Sequence, residues 1–435
     1  MPQIRQLTHS PRGHTIANRS CWTAGGRGIV LDLRDNETRF DSQSIVVVPV
    51  EPAESAPLNC EPVYTSPNNS CCGVPTCSPI DDRIVFIHAD ESLDDDWQYC
   101  AWHRRGVVME LDRPNLAITL DARDIVAPFT PGALRGGTHL HTFNQDATAI
   151  VSTYEDHVLA TSCNELAQAN RRGIAVHVLS VPVRVPKTHL RNHDGISFTT
   201  LVSQLTDKPV AGSDEISMAT GEAWLAGSGN RISMQGTVID RSGKPCIEIF
   251  LITLPDRLGD LCVAGNHPLQ GTPMTRPGVP TGVSQQRLTF TCKRRFPGIA
   301  GPRHWAVGSP DGSRVGFYMP DDNGHVQFWT VSPDRGETIQ VTHNAPEPTS
   351  PFTWHPNGSS VAYIADGCVM LVDIDSGRYR RLTPQMTIAD GPTHHACVFS
   401  PDGSSIAYML PVDFNVDGQS QRFNQIHIVT DLASN

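Results

Sequence analysis

Three histidines stand at one position of a pattern that recurs along this chain. His139, His304 and His395 each lie the same number of residues before a turn motif, and His141 follows His139 at the spacing that puts two side chains on one face of a β-strand. Imidazole is the commonest metal ligand, and three or four converging histidines can hold a first-row metal. The spacing predicts a divalent metal site made of these four histidines. The alternative is a channel lined by hydrogen-bonded water.

Basic side chains accompany the histidines. His103 and Arg105 lie in one basic run, and Arg135 and Arg303 each lie within four residues of a predicted ligand. Guanidinium groups bind planar carboxylates through two parallel hydrogen bonds. We predict that His103, Arg105, Arg135 and Arg303 contact an anionic substrate or transfer a proton. The alternative is that they pair with the acids of an acidic chain.

Other catalytic patterns are absent from the sequence. No serine or cysteine stands in a nucleophile elbow, so acyl transfer is not indicated. No glycine-rich phosphate loop follows a strand to open a helix either.

A repeated turn must position these residues. Residues 309–312 and 400–403 read Ser-Pro-Asp-Gly, residues 355–358 read His-Pro-Asn-Gly, and each copy leads into a short β-branched and aromatic run. Proline presets φ at the second turn position and glycine accepts a positive φ at the fourth, so each copy predicts a hairpin. A second marker, such as Arg-Leu-Thr at 381–383, recurs after roughly 40 to 50 residues, which is typical of a β-propeller blade.

The repeat predicts an all-β, seven-bladed propeller over residues 1–435 as a single domain. An N-terminal strand precedes the first blade and should complete the last blade, which would close the ring and hide its edges. Insertions are expected at about 90–106, which contains three consecutive aspartates on a solvated face, and at about 255–283. The blades are placed at about 17–65, 70–128, 135–186, 195–292, 300–344, 348–385 and 391–435.

Composition narrows the partners and the compartment. The formal net charge of −11 argues against nucleic-acid or anionic-membrane surfaces, so an anionic ligand needs a local basic site. The N-terminus has no signal-peptide pattern and no apolar run is long enough to span a membrane, which predicts a cytoplasmic protein. The twelve cysteines are scattered over a large chain, and we interpret them as free thiols rather than a disulfide framework.

Several segments together resemble the uncharacterised bacterial family typified by YidR, which is related to TolB-like propellers and to oligogalacturonate lyases. The resemblance covers nearly the full length in order, and that family has no settled activity. The segments that carry it are residues 102–108, 125–132, 134–141, 212–216, 286–290, 302–305 and 321–324.

The lyase relatives imply a metal site. In those lyases a manganese-type metal is held in the channel of a seven-bladed propeller by three histidines, two of them in a His-x-His, and a glutamine. The resemblance implies that role for His139, His141 and His304, or for His304 and His395. In this chain Gly136 stands where the lyases have the glutamine, and the His-x-His lies in the third blade rather than near the C-terminus.

The combined prediction is a metal-assisted carbohydrate-active enzyme, a lyase that eliminates across a uronic-acid linkage in the propeller channel. The expected cofactor is a divalent metal, manganese first, with zinc, nickel, iron or calcium as alternatives. The expected partner is an anionic small molecule or oligosaccharide, with no nucleic acid and no membrane. Two other functions stay open: a non-catalytic TolB-like scaffold for protein interaction, and a metal-dependent sugar hydrolase or isomerase.

Overall fold

The turn motifs found in the sequence form tight turns. Gly312, Gly358 and Gly403 have φ values of +70°, +77° and +75°, as the fourth position of such a turn requires. Each glycine N–H donates to the carbonyl three residues earlier, at 2.8 to 2.9 Å. The computed structural model describes residues 2–36, 38–51, 61–89, 93–227, 229–395 and 397–432.

These turns and the other hairpins build seven antiparallel sheets, which are the blades of a propeller. The N-terminal strand is β1 (Gln3–Gln6). The first blade contains β2 (His14–Ile16), β3 (Gly28–Leu33), β4 (Ser44–Pro49) and β5 (Pro62–Thr65). The second contains β6 (Cys72–Cys77), β7 (Arg83–His88), β8 (Arg105–Glu110) and β9 (Ile118–Thr119). The third contains β10 (Gly136–Phe143), β11 (Ala149–Asp156), β12 (Gly173–Val183) and β13 (Gly195–Leu201).

The remaining four blades follow the same order. The fourth contains β14 (Ala219–Trp224), β15 (Arg231–Ile239), β16 (Pro245–Thr253) and β17 (Ser284–Arg287). The fifth contains β18 (Val315–Pro320), β19 (Val326–Val331) and β20 (Thr338–Gln340). The sixth contains β21 (Thr353–Trp354), β22 (Ser360–Ala365), β23 (Cys368–Asp373) and β24 (Tyr379–Arg381). The seventh contains β25 (Cys397–Phe399), β26 (Ile406–Val416) and β27 (Gln419–Thr430).

Helices are few and short. The helix α1 (His157–Ala160) follows β11, and the side chain of Asp156 caps it by accepting from the Leu159 N–H. In the described residues, three 3₁₀ helices span Pro67–Asn69, Ala101–His103 and Leu258–Cys262. Among the described residues, no helix has the length and apolar character needed to cross a membrane.

The ring closes as the sequence predicts. Strand β1 pairs antiparallel with β27 as the outer strand of the seventh blade, with Gln3 opposite Thr430 and Gln6 opposite His427. The Leu7 N–H then donates to the Ile426 carbonyl at 2.8 Å. The two ends of the chain are therefore held in one sheet, and the seven-bladed propeller is confirmed.

One blade boundary differs from the prediction. The sequence predicts residues 195–201 at the start of the fourth blade, but they form β13, which pairs with β12 as the outer strand of the third blade. The register of β12 against β13 shifts between Leu179 and Val183, and a long loop follows β12. Because of this separation, the sequence pattern of the third blade ends before its outer strand.

The two insertions form connections between strands. The first joins β7 to β8; its residues 90–92 lie outside the described residues, and Asp94, Asp95 and Asp96 are exposed as predicted. The second joins β16 to β17.

Apolar strand faces from neighbouring blades form the core. One cluster joins the third and fourth blades through Val151, Ile174, Ile232 and Phe250, which are almost completely buried. Burying such side chains stabilises each blade only against its neighbours, so the ring is built by repetition. All eleven described cysteines are free thiols, as the sequence indicated.

Candidate active site in the channel

Three innermost strands carry the same irregularity. The registers of β6, β10 and β14 against their neighbours each shift in mid-strand. The residues Val74, Leu140 and Gly221 at these shifts have φ values of +56°, +53° and +64°. A bulge of this kind turns the following side chain away from the face that strict alternation would give it.

The bulge in β10 separates two of the predicted ligands. His139 lines the channel, as does Leu140. His141 instead points between the second and third blades, where its Nε2 is 2.9 Å from the Thr138 hydroxyl and its ring lies 5.7 Å from that of His177. Burial lowers the pKa of His141 to about 3. The expectation that His139 and His141 share one face is wrong, because Leu140 adopts a left-handed conformation between them.

His304 has no nitrogen left for a metal. Its Nδ1–H donates to the Pro302 carbonyl at 2.8 Å, and its Nε2 accepts the backbone N–H of Tyr318 at 3.1 Å. The pair of bonds places the proton on Nδ1. The ring stands edge-on to that of Tyr318, and burial lowers the pKa of His304 to about 4. His304 therefore supports the fifth blade from the channel wall.

His395 and His139 line one cavity of about 430 Å³. Burial and then the charges of Arg34 and Arg303 lower the pKa of His395 to about 4. Within the described part of the chain, the four histidines do not bring three donor atoms together. The residues present therefore do not fit the predicted histidine metal centre, and metal binding stays a prediction.

A different group of donor atoms does converge, at the edge of the fourth blade. Atoms of Cys246, Glu248 and Cys292 lie within 4.8 Å of one another. The Glu248 carboxylate already accepts from Arg287 at 2.9 Å and from the Thr291 N–H at 2.7 Å. Burial raises the pKa of the Cys246 thiol to about 12, which keeps it protonated. Because a metal needs thiolates and repels a guanidinium, this group fits a structural anchor better than a cation site.

The channel wall is strongly basic around His139. Burial lowers the pKa of His139 well below its usual value, and the charges of Arg104, Arg303 and Arg172 lower it further. Arg303 also borders both the larger cavity and an adjoining one of about 230 Å³. Between them, the two cavities are lined by residues from all seven blades, so they are parts of the central channel.

The three arginines differ in their partners. Arg172 forms an ion pair with Glu155 at 2.5 Å, and Arg104 donates to the Tyr99 hydroxyl at 2.8 Å. Arg303 lies over the Trp305 ring at 5.0 Å, and neither a hydrogen bond nor an ion pair joins its guanidinium to a described residue. Among Arg104, Arg172 and Arg303, only Arg303 has a guanidinium that makes no hydrogen bond or ion pair with a described residue.

Two of the other predicted catalytic residues lie away from the cavities. His103 ends a 3₁₀ helix of the first insertion, stacks on Trp97 with ring centroids 3.5 Å apart, and places Nε2 3.0 Å from Nδ1 of His157. Arg105 begins β8 beside Asp121, whose ionised form it favours. Its neighbour Arg104 is the member of this basic run that reaches the channel.

Arg135 has a structural partner. Its guanidinium pairs with Asp156 at 2.5 Å and donates to the Thr275 carbonyl at 3.0 Å and to the Thr272 carbonyl, and its side chain is fully buried. These bonds link the second insertion, which contains Thr272 and Thr275, to the third blade, which contains Asp156. No channel role follows for Arg135, because its donors are already used.

Glu222 is a buried acidic residue beside the channel that sequence reasoning missed. It follows the bulge in β14, it is fully buried, and it lines the smaller cavity with His139 and Arg303. Two features of the sequence could have identified Glu222. It is a charged residue in the middle of an inner strand, and it stands at the position that His141 has in the third blade. The fourth blade lacks a clear turn motif. Its register could therefore not be aligned with that of the third blade from the sequence, and the equivalence of Glu222 and His141 could not be recognised.

Comparisons with known proteins bear on this site. Residues 71–193 match the family described as "Protein of unknown function (DUF3748)". The uncharacterised protein YidR of Escherichia coli (strain K12) is 38% identical over 408 residues, which cover 93% of this chain and 94% of that protein. The chain belongs to the YidR family.

Solved structures show the same fold. An oligogalacturonate lyase in complex with manganese aligns with a TM-score of 0.58 at 12% identity, over 99% of this chain and 93% of the other. An oligogalacturonate lyase from Vibrio parahaemolyticus aligns with a TM-score of 0.53 at 10% identity, over 98% and 93%. At such identities the likeness shows a shared seven-bladed fold and leaves the chemistry to be argued from this chain's own residues.

Proposed function

We propose that this member of the YidR family is a carbohydrate-active enzyme, a lyase that binds an anionic sugar such as a uronate in the propeller channel. The supporting observation is the convergence of Arg104, Arg172 and Arg303 around His139, in a chain whose net charge is −11. A basic site inside an acidic protein selects an anion locally.

Arg303 is the residue that we expect to bind the sugar carboxylate. Its guanidinium makes no hydrogen bond or ion pair with a described residue, whereas Arg172 is held by Glu155 and Arg104 donates through Nε to Tyr99. A sugar carboxylate can accept two parallel hydrogen bonds from it. Arg104 and Arg172 add positive charge around the bound group without needing to touch it.

The same charges favour elimination. Removing the proton on the carbon next to the carboxylate moves negative charge onto its oxygens, and fixed cations in a narrow channel stabilise that charge. His139 is neutral because its pKa is low, so it can accept a proton, and a bound anion offsets the arginines that depress that pKa. The C–O bond to the sugar at the neighbouring carbon then breaks, the leaving oxygen takes a proton from protonated His139 or from water, and a carbon–carbon double bond forms.

No step of the elimination runs through a metal. The manganese belongs to the description of a structural neighbour, and His304, with both ring nitrogens occupied, does not offer the donor that the resemblance requires.

Purified protein incubated with oligogalacturonides tests the proposal, because elimination alone yields an unsaturated uronide that absorbs in the ultraviolet. We expect the absorbance to rise with the wild-type protein and with Arg335→Gln, which removes an exposed arginine. Arg303→Gln should lower the rate by on the order of 100-fold. A non-absorbing product would indicate hydrolysis or isomerisation instead. Failure to bind any uronide by calorimetry would overturn the proposal and favour the scaffold.

A further inference from the structure

Glu222 is a buried carboxylate without a hydrogen-bond partner. Its side chain is 0% exposed, and neither Oε1 nor Oε2 accepts a hydrogen bond from a described residue. Arg19 donates to the backbone carbonyl of Glu222 at 2.7 Å, not to its carboxylate. Buried polar groups are normally satisfied, so an isolated carboxylate in a channel wall requires either a proton or a specific function.

Cations surround this carboxylate at longer range. Burial raises the pKa of Glu222 to about 7, and the charges of Arg19, then Arg303 and Arg172, oppose that rise. These arginines come from the first, fifth and third blades. His139 and His304 line the same cavity and are neutral near pH 7 because their pKa values are lowered. The charge state of Glu222 therefore depends first on burial and then on the opposing arginines, of which Arg303 and Arg172 also attract the ligand.

We propose that Glu222 takes up a proton when an anion binds beside Arg303, so that the channel binds a uronate together with one proton. The inference rests on the anion site of the proposed function. A bound carboxylate offsets the positive field that favours ionised Glu222 and adds a like charge beside it. Binding and protonation must then favour each other to the same degree, because the coupling between two sites is reciprocal.

The consequence for specificity follows from the charge. Ionised Glu222 repels the ligand, whereas the protonated carboxyl does not and gains an O–H donor. The site should therefore bind a uronate more tightly at pH 6.5 than at pH 8.5, although the carboxylate of the sugar stays ionised across that range. Glu222 acts here as a positioning residue, through the charge of the cavity.

Calorimetric titration with galacturonate tests this directly, in buffers of different ionisation enthalpy and at several pH values. With the wild-type protein we expect net proton uptake near pH 7.5 and an affinity that falls about tenfold from pH 6.5 to pH 8.5. Glu222→Gln carries a permanently neutral carboxamide, so its affinity should be independent of pH and close to the wild-type value at low pH. Glu165→Gln, at an exposed position, should behave as the wild type.

The outcomes separate the two proposals. Binding without proton uptake, or with the same pH dependence in Glu222→Gln, overturns the role of Glu222 and leaves the anion site standing. Absence of binding at every pH overturns both. If Glu222→Gln does not fold, infrared difference spectra of the wild-type protein decide the question. Galacturonate should then increase the carbonyl band of a protonated carboxyl group at pH 7.5, and an unchanged band would contradict the proposal.

Discussion

Arg135 and Asp156 form an ion pair in which Nη2 and Oδ2 are 2.5 Å apart and both side chains are almost completely buried. The same guanidinium donates to the carbonyls of Thr272 and Thr275 in the second insertion. One side chain therefore joins the third blade to a segment that leaves the fourth. The sequence predicts that Arg135 contacts the substrate or transfers a proton, whereas in the structure its guanidinium links these two segments.

Arg135→Met should destabilise the protein by about 3–5 kcal/mol, because it leaves Asp156 buried without its cation. Urea unfolding measures this, and hydrogen exchange should show faster opening around residues 272–275. The matched control is Arg314→Met, which breaks an exposed ion pair with Asp375 and should cost about 0–1 kcal/mol. Unchanged stability together with lost uronide binding would restore Arg135 as a substrate ligand.

Buried neutral histidines should make the fold sensitive to acid. The pKa values of His14 and His304 are lowered to about 4 by burial. A lowered histidine pKa means that the unfolded state binds more protons between about pH 6.5 and pH 4, so stability falls as pH falls through that window. For His304 alone the loss is on the order of 3 kcal/mol by pH 4. Glu222, with its raised pKa, acts in the opposite direction between about pH 7 and 4.5.

Urea midpoints measured from pH 7 to pH 4 check this acid sensitivity. His304→Gln should flatten part of the slope, whereas His343→Gln, at an exposed position, should not. A constant midpoint from pH 6.5 to pH 4.5 would mean that the folded and unfolded states bind equal numbers of protons over that range, which contradicts buried histidines that stay neutral only in the folded state.

The fold could be predicted because the same turn motif, followed by a short strand, recurs along the sequence. Each Pro-x-Gly turn specifies its own hairpin, and the N-terminal strand lacks a blade of its own, so closure by pairing with β27 followed directly. The third blade was misjudged because its outer strand, Gly195–Leu201, lies beyond a long loop that no turn motif marks.

The site was harder to predict because it depends on deviations from the repeat. The residues around Leu140 do not indicate that it has a positive φ. Because it does, His139 lies in the channel wall and His141 lies between blades. The choice between Arg104 and Arg105 is likewise set by where the first insertion rejoins the sheet. Register gives the depth of a side chain in the channel, but it does not give the direction of the side chain at a bulge.

The metal prediction can be tested at His304. His304→Ala should cost about 1–3 kcal/mol of stability, since it leaves the Tyr318 N–H buried without an acceptor. Any metal that copurifies with the protein, measured by plasma mass spectrometry, should be unaffected by the substitution, because both ring nitrogens are already bonded. His139→Ala is the comparison, since His139 does face the channel. Loss of stoichiometric metal in His304→Ala would show that the ring turns to bind it.

Glu248 should behave as an anchor rather than as a metal ligand. Its carboxylate accepts from Arg287 and from Thr291, so Glu248→Gln should destabilise the fourth blade by on the order of 3 kcal/mol, leaving Arg287 without its buried anion. Glu347→Gln, at an exposed carboxylate, should have little effect. Zinc added to the wild-type protein should not raise the urea midpoint, because a ligand stabilises the fold only by binding the native state. A zinc-dependent rise that Glu248→Gln abolishes would mean that the cation displaces Arg287 and that Cys246 and Cys292 ionise to receive it.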